Sequence, residues 1–527
     1  MQKTFNHRLL LLIFIGMWTL SCASSTPSPT ATPRPTAQPS ITPTATPSHT
    51  PTPFPTSTPA SLLDLSALWN SDETTLFEQA MRPAFVADVS RLPQATRYRL
   101  DLRVAPDLLT LTGTAHISYT NQEKEPLNEI VVRLLPNLPA FGASMTLDAV
   151  LVDGHPVTPT MQYQNSAAYL PLRTPLQPGE RIALTLTYQS TLPDHADAGY
   201  AQYGYFDGVL ALPGAYPLIP VYDDEGWNVE LAPSYGDVTF SDTAFYLVRL
   251  TLPDKLTVIT SGVIITGTLN SDATQTLLAV SGPMRDFNIV AGYDYQILVE
   301  HVDDVRVAAY YRVGDQTGGR LALDYATYAL RYYERILGPY PFNEFDVVAT
   351  PTTAGGIEYP GLIVIARHLY NQTGGFFEMA VVHETAHQWW YSLVGNDQLD
   401  EPWLDESLTQ YTTLLYFEER YGHETAQQIL QSFETWYKSL PADWQEMSIG
   451  LPVAAYSEYT YGPIVYGKGP LFFHELRQKI GDKAFFRLLP SYFERYRYGI
   501  AYPADLIDLA EQVSGQELTP WYRQWVK

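Results

Sequence analysis

The hydrophobic pattern of this 527-residue chain changes period near residue 299, and that change restricts the possible folds more than any other feature. Before it, apolar residues alternate, as in Tyr98-Leu100-Leu102-Val104, Ile182-Leu184-Leu186-Tyr188 and Tyr246-Val248-Leu250, with turns such as Pro178-Gly179 and Pro253-Asp254 between runs. Alternation at period two marks strands with one buried face, so residues 62–299 predict a largely antiparallel β-domain. After it, Leu321 to Leu337 has helical spacing and stops at Gly338-Pro339. Phe345 to Ala349 and Leu362 to Ala366 read as short strands, and the chain beyond Phe376 reads as helical to its end. The fold class is therefore α+β and multidomain, in a chain too long for a single core.

The N-terminus has a different character. Met1 to Arg8 carries Lys3 and Arg8, Leu9 to Leu20 is uncharged and apolar, and Ser21-Cys22 follows. That is the layout of a bacterial export signal, with an apolar run too short for a comfortable membrane span. Thr19-Leu20-Ser21-Cys22 resembles a lipoprotein signal box, with Thr19 where leucine is usual, and predicts a lipid on Cys22, the single cysteine. Simple cleavage or an uncleaved anchor is the alternative. Residues 23–61 are almost all Pro, Thr, Ser and Ala, which predicts an extended, disordered linker. The expected location is extracytoplasmic, attached to the outer face of a bacterial cell membrane. A net charge of −24 argues against nucleic acid as a partner. It could favour cationic ligands such as peptide amines, although solubility alone is the simpler and preferred explanation.

Chemistry concentrates after Phe376. His383-Glu384-Thr385-Ala386-His387 lies in a stretch free of Pro and Gly from Phe376 to Val394, so a helix is expected there. Spacing i, i+4 sets both imidazoles on one face, one turn apart, where they can hold one tetrahedral metal with Glu384 beside them. The competing reading is two partly buried histidines on an amphipathic helix. A third ligand is available in Asp400 to Ser407, where Asp400 can cap and Pro402 can open a helix running to Tyr421 and stopping at Gly422. Glu406 then falls in its first turns; taken alone, it reads as a solvated carboxylate.

Together these residues resemble the aminopeptidase N family of gluzincin metallopeptidases, which includes leukotriene hydrolase. The resemblance rests on His383-Glu384-x-x-His387, eighteen intervening residues, and Glu406 within Trp403-Leu404-Asp405-Glu406. Asp405 and Ser407 depart from the usual Trp-Leu-Asn-Glu-Gly. Gly355-Gly356-Ile357-Glu358-Tyr359 is similar to the Gly-Ala-Met-Glu-Asn exopeptidase motif, with Ile357 for Met and Tyr359 for Asn. Tyr461 to Gly469 resembles the segment that carries the family's Tyr-x-Lys-Gly, which maps its tyrosine to Tyr466, with Tyr461 as a neighbour.

The resemblance implies a β-saddle domain at 62–299 and a thermolysin-like, mainly helical catalytic domain at 300–527. The large C-terminal helical domain of many relatives is missing from the expected plan. It implies one zinc ion held by His383, His387 and Glu406, with Glu384 as general base. It also implies Tyr466 stabilising the tetrahedral intermediate, and Gly355, Gly356 and Glu358 binding a peptide by its free N-terminus. Cobalt or manganese could serve, but two imidazoles and a carboxylate favour zinc. The implied activity is that of a zinc aminopeptidase. The alternatives are an endopeptidase of the same fold and a catalytically silent surface-binding protein. Gln202 is a weak candidate for helping to bind the substrate amine.

Overall fold

A computed structural model of the chain describes residues 65–70, 73–195, 200, 202–372 and 375–526. The export signal, Cys22 and the linker expected at 23–61 lie outside the described residues. Among those residues, no helix is long and apolar enough to cross a membrane.

Short helices between Leu65 and Arg91 precede the first long strand, Thr96–Val104. That strand lies near the middle of an eight-stranded sheet, flanked by Thr110–Thr120 on one side and Ala244–Pro253 on the other. Its alternation places Tyr98, Leu100, Leu102 and Val104 inside while the residues between them face outward, which is the period-two pattern at work. The pairing is mostly antiparallel, but Thr96–Val104 and Ala244–Pro253 run parallel, with Thr96 opposite Ala244 and Arg103 opposite Thr251. A four-stranded, a three-stranded and a two-stranded sheet complete this half among the described residues. Between Trp227 and Ala244 the chain has no strand or helix, and residues 235–239 of this stretch line the cavity described below.

A five-stranded sheet opens the second half: Tyr295–Val302, Val305–Arg312, Glu344–Thr350, Leu362–Ala366 and, at its edge, Gly356–Ile357. The division expected at 299/300 therefore falls inside a strand. Only Tyr295 and Val302 of that strand are buried, and a strand's own apolar pattern does not reveal to which sheet it belongs. The helix Gln316–Ile336 packs on this sheet and against the helix Gly375–Ala386.

Two expectations are corrected. The helix predicted from Phe376 to Val394 ends at Ala386. Its last turn tightens, with the amide of Trp389 donating to Ala386 O at 2.9 Å, and Tyr391 sits at φ 97°. Asp400 does not cap the next helix. Asp397 instead accepts from the amides of Leu399 (2.9 Å) and Asp400 (3.0 Å), and a π-helical turn, Trp403–Ser407, leads into Leu408–Tyr421.

Candidate active site

The helix Gly375–Ala386 is buried on nearly all sides and carries His383 in its last turn, with His387 just beyond its end. The π-helical turn brings Glu406 to both rings. His383 Nε2 and His387 Nε2 are 3.1 Å apart, and Glu406 Oε2 lies 3.2 Å from the first and 3.3 Å from the second. Donor atoms around a tetrahedral zinc at ordinary bond lengths are about 3.3 Å apart, so these three atoms already form one face of such a tetrahedron. The ring N–H at His387 Nδ1 donates to Trp390 O at 3.0 Å, which fixes the tautomer whose Nε2 lone pair faces the site. The shortened helix makes that bond, since Trp390 could not turn back in a continuing helix.

Charge completes the fit. Burial would raise the Glu406 carboxyl, but the two imidazoles hold it well below its ordinary range. Burial lowers His383, whereas at His387 it is outweighed by Glu406 and the ring is pushed up. A divalent cation bound by these three atoms would satisfy the Glu406 carboxylate in place of a proton on the triad. His383, His387 and Glu406 are the group of metal-ligating side chains found among the described residues.

Glu384, on the same helix, points across to the edge strand Gly356–Ile357. A Cβ at Gly356 would stand 2.5 Å from Glu384 Cγ and 2.6 Å from Oε1, so only glycine lets this backbone lie on the carboxyl. Burial, then the charges of Glu358 and Glu406, push Glu384 well above its ordinary value. Glu358 follows directly and is buried. Gln398 Nε2 donates to Glu358 Oε1 (3.2 Å) and to Asp405 Oδ2 (2.8 Å), while Asn396 Nδ2 donates to Asp405 Oδ1 (3.0 Å). Both oxygens of Asp405 are therefore used, which accounts for a carboxylate where the resembling motif has asparagine. Gln388 holds the segment from the other side, accepting from the Gly361 amide at 2.8 Å and donating to Tyr359 O at 3.1 Å.

Tyr466 lies in a second π-helical segment, Gly462–Lys468. Its ring is 5.9 Å from that of His383, and Tyr461 stands edge-on to it, also at 5.9 Å. Enclosure, then Glu406 and Tyr461, raise the Tyr466 phenol well above its ordinary value, so it remains a hydroxyl donor. Ser407 Oγ donates to Val465 O at 2.6 Å, tying the Glu406 turn to the Tyr466 turn. Gly469 makes room for it, since a Cβ there would collide with Ser407 Oγ.

Gly355, Gly356, Glu358, His383, Glu384, His387, Glu406 and Tyr466, the eight positions singled out in the sequence, all line one cavity of about 540 Å³. Gln202 lines it too, as do Asp237, Tyr391 and Gln398, which sequence reasoning passed over. Asp237 carries no motif and lies in an irregular segment. Burial, then Glu358 and Glu406, push it well above the ordinary carboxylate range. Tyr391 is clamped by two consecutive residues of the β-domain, with Arg285 Nε donating to its carbonyl at 2.6 Å and Asp286 accepting from its hydroxyl.

Comparison with known proteins agrees with this geometry. Residues 321–525 match the Peptidase family M1 domain. Aminopeptidase M1-A of Oryza sativa subsp. japonica is 23% identical over 461 residues, covering 83% of this chain and 51% of the relative. Aminopeptidase N of Lactococcus lactis subsp. lactis is 27% identical over 225 residues, 39% of this chain and 26% of the relative. The chain spans about half the length of the rice relative, and less of the bacterial one. Among solved structures, an M1 zinc metallopeptidase from Deinococcus radiodurans superposes with a TM-score of 0.62 at 22% identity, over 82% of this chain and 95% of that one. A structure described as a two domain M1 zinc metallopeptidase gives 0.64 at 22% identity, over 82% and 94%. The fold is thus an N-terminal β-sheet domain followed by a mainly helical domain, in which residues 321–525 are similar to the peptidase family M1 domain and His383, His387 and Glu406 form a group fit to hold one zinc ion.

Proposed function

We propose that this protein is a zinc aminopeptidase that removes residues one at a time from the free N-termini of peptides. The observation that carries the reading is that Glu358 lines the same cavity as the zinc triad and is anchored by Gln398. A carboxylate so placed fixes an α-ammonium, and with it the bond that reaches the metal. The free edge of Gly356–Ile357 can accept the substrate backbone as an added strand. The names of the relatives and a solved neighbour described as bound to a Tyr-Ser-Ala substrate support the same reading.

His383, His387 and Glu406 would hold the zinc, which supplies Lewis acidity toward water and the scissile carbonyl. Glu384 accepts a proton from the attacking water and passes it to the leaving amine nitrogen. The Tyr466 hydroxyl donates a hydrogen bond to the carbonyl oxygen as charge develops there. Glu358 holds the α-ammonium through both events. Comparing the wild-type protein on matched free and N-acetylated peptides tests this. Cleavage of the free form alone is expected, whereas equal cleavage of both would make the protein an endopeptidase.

We further propose that the chain is exported and anchored by a lipid on Cys22, with residues 23–61 as the tether. The reading is supported by the apolar run Leu9 to Leu20 ending at Ser21-Cys22. Incorporation of labelled fatty acid that is lost in Cys22→Ser is expected; labelling unchanged by the substitution would refute it.

A further inference from the structure

The loop that follows the zinc-binding helix turns on Tyr391. This residue lines the cavity and stands at φ 97°, a conformation that a bulky aromatic residue keeps only when its surroundings over-determine it. Each polar group of Tyr391 is held. Its amide donates to Val394 O at 2.8 Å, its carbonyl accepts from Arg285 Nε at 2.6 Å, and its hydroxyl donates to Asp286. Arg285 is buried and fixed in turn on Ser241 O (3.0 Å) and Gly499 O, while Asp286 also accepts from Asn288 Nδ2. Gly395, in the same loop, lets the arginine through, since a Cβ there would collide with its guanidinium. The strained turn is thus held from the β-domain and not by the helices that carry the triad.

The strain reaches the metal site through one peptide plane. The Tyr391 amide and the Trp390 carbonyl belong to the same planar unit, and that carbonyl accepts from His387 Nδ1 at 3.0 Å. With the side chain and carbonyl of Tyr391 pinned, its φ aims this plane, and relaxation to a negative φ would swing the Trp390 carbonyl off the imidazole. The other neighbour of His387 Nδ1 is Thr409 Oγ1 at 3.3 Å. A carbonyl can only accept, so it keeps the proton of the neutral ring on Nδ1 and leaves the Nε2 lone pair for a metal. A hydroxyl can donate as well, and a ring left to Thr409 alone is free to carry its proton on Nε2, where no metal can bind.

We propose that Arg285, Asp286 and Tyr391 are positioning residues for the zinc site: the β-domain holds Tyr391 in its strained turn, and the turn holds His387 in the metal-binding tautomer. The inference rests on the zinc reading of the triad, and what it adds is that metal affinity is set in part from the other domain. A clamp that served only to join the domains would have no use for an aromatic residue at φ 97°.

The test is a zinc titration of the full chain in competition with a chromogenic chelator. Tyr391→Phe removes the hydroxyl but keeps the strain, and should weaken zinc binding about tenfold or more. Asp286→Ala should do the same. Tyr391→Gly removes far more of the side chain, yet glycine holds φ 97° without a clamp. It should therefore bind zinc more tightly than Tyr391→Phe, and adding Asp286→Ala to it should cost little further. Zinc affinity unchanged in Tyr391→Phe overturns the proposal, as does a Tyr391→Gly variant that binds no better than Tyr391→Phe. Both comparisons stand even where Asp286→Ala fails to fold. A wild-type protein that takes up no zinc refutes the metal reading and the clamp together. Stoichiometric zinc in the wild type with equal affinity in every variant refutes the clamp alone.

Discussion

Replacing Glu384 with Gln keeps the side chain's shape beneath Gly356 but removes its proton acceptor. Zinc content should therefore stay stoichiometric while kcat falls about 10²- to 10⁴-fold, read by metal analysis and steady-state kinetics on one preparation. Gly356→Ala should give a similar loss for a different reason, because its Cβ would displace the Glu384 carboxyl, whose Oε1 it meets at 2.6 Å. Circular dichroism should remain native, and a variant with unaltered kcat would show that the close approach is not needed. At this scale the site was largely readable beforehand. The pair His383 and His387 depends only on helical spacing, and Glu358, Glu406 and Tyr466 each sit in a local motif. Asp237, Gln388 and Gln398 were not readable, because their roles are contacts between segments that only the folded chain brings together. No local pattern marks a glutamine that will bridge Glu358 and Asp405.

Two π-helical turns, Trp403–Ser407 and Gly462–Lys468, carry Glu406 and Tyr466, and the wider turn in each re-aims a side chain that a regular helix would direct elsewhere. Ser407→Ala breaks their link and leaves Val465 O short of a donor. The expected cost is about 1–2 kcal/mol in stability, with KM for a neutral substrate less affected than kcat; an unchanged denaturation midpoint would refute the role. Helix ends were the least readable elements. Nothing near Ala386 is a helix breaker, yet the chain leaves the helix because Arg285 and Asp286 of the other domain hold Tyr391 at φ 97°. Asp286 gives this clamp a pH signature. Burial raises it from 3.8 to about 6, against the hydrogen bonds from Tyr391 and Asn288 and with a further push from Glu358. Because the folded value lies above the unfolded one, its contribution is fully present below pH 3.8 and is lost as pH rises through about 6. Two units correspond to about 3 kcal/mol. Asp286→Asn, which does not titrate, should therefore gain stability relative to wild type between pH 4.5 and 6.5, seen in denaturant midpoints at matched pH. A constant difference would count against it.

For the molecule as a whole, the triad belongs to the packed interior, so removing the metal should do more than stop turnover. Dialysis against a chelator is expected to abolish peptide cleavage and lower the thermal midpoint by several degrees, since a ligand of the native state alone stabilises it. Zinc should restore both and magnesium neither; activity that survives metal depletion would exclude the mechanism. The order of halves, strands then helices, was legible from the change of period. The parallel pairing of Thr96–Val104 with Ala244–Pro253 was not, because alternation specifies a face and not a neighbour. That pairing has a consequence during synthesis on the ribosome. One flank of Thr96–Val104 stays open until the segment ending at Pro253 has emerged, so a nascent chain halted before Ala244 would display an unmatched apolar edge. Chaperone capture should peak over that interval and subside once the later strand docks.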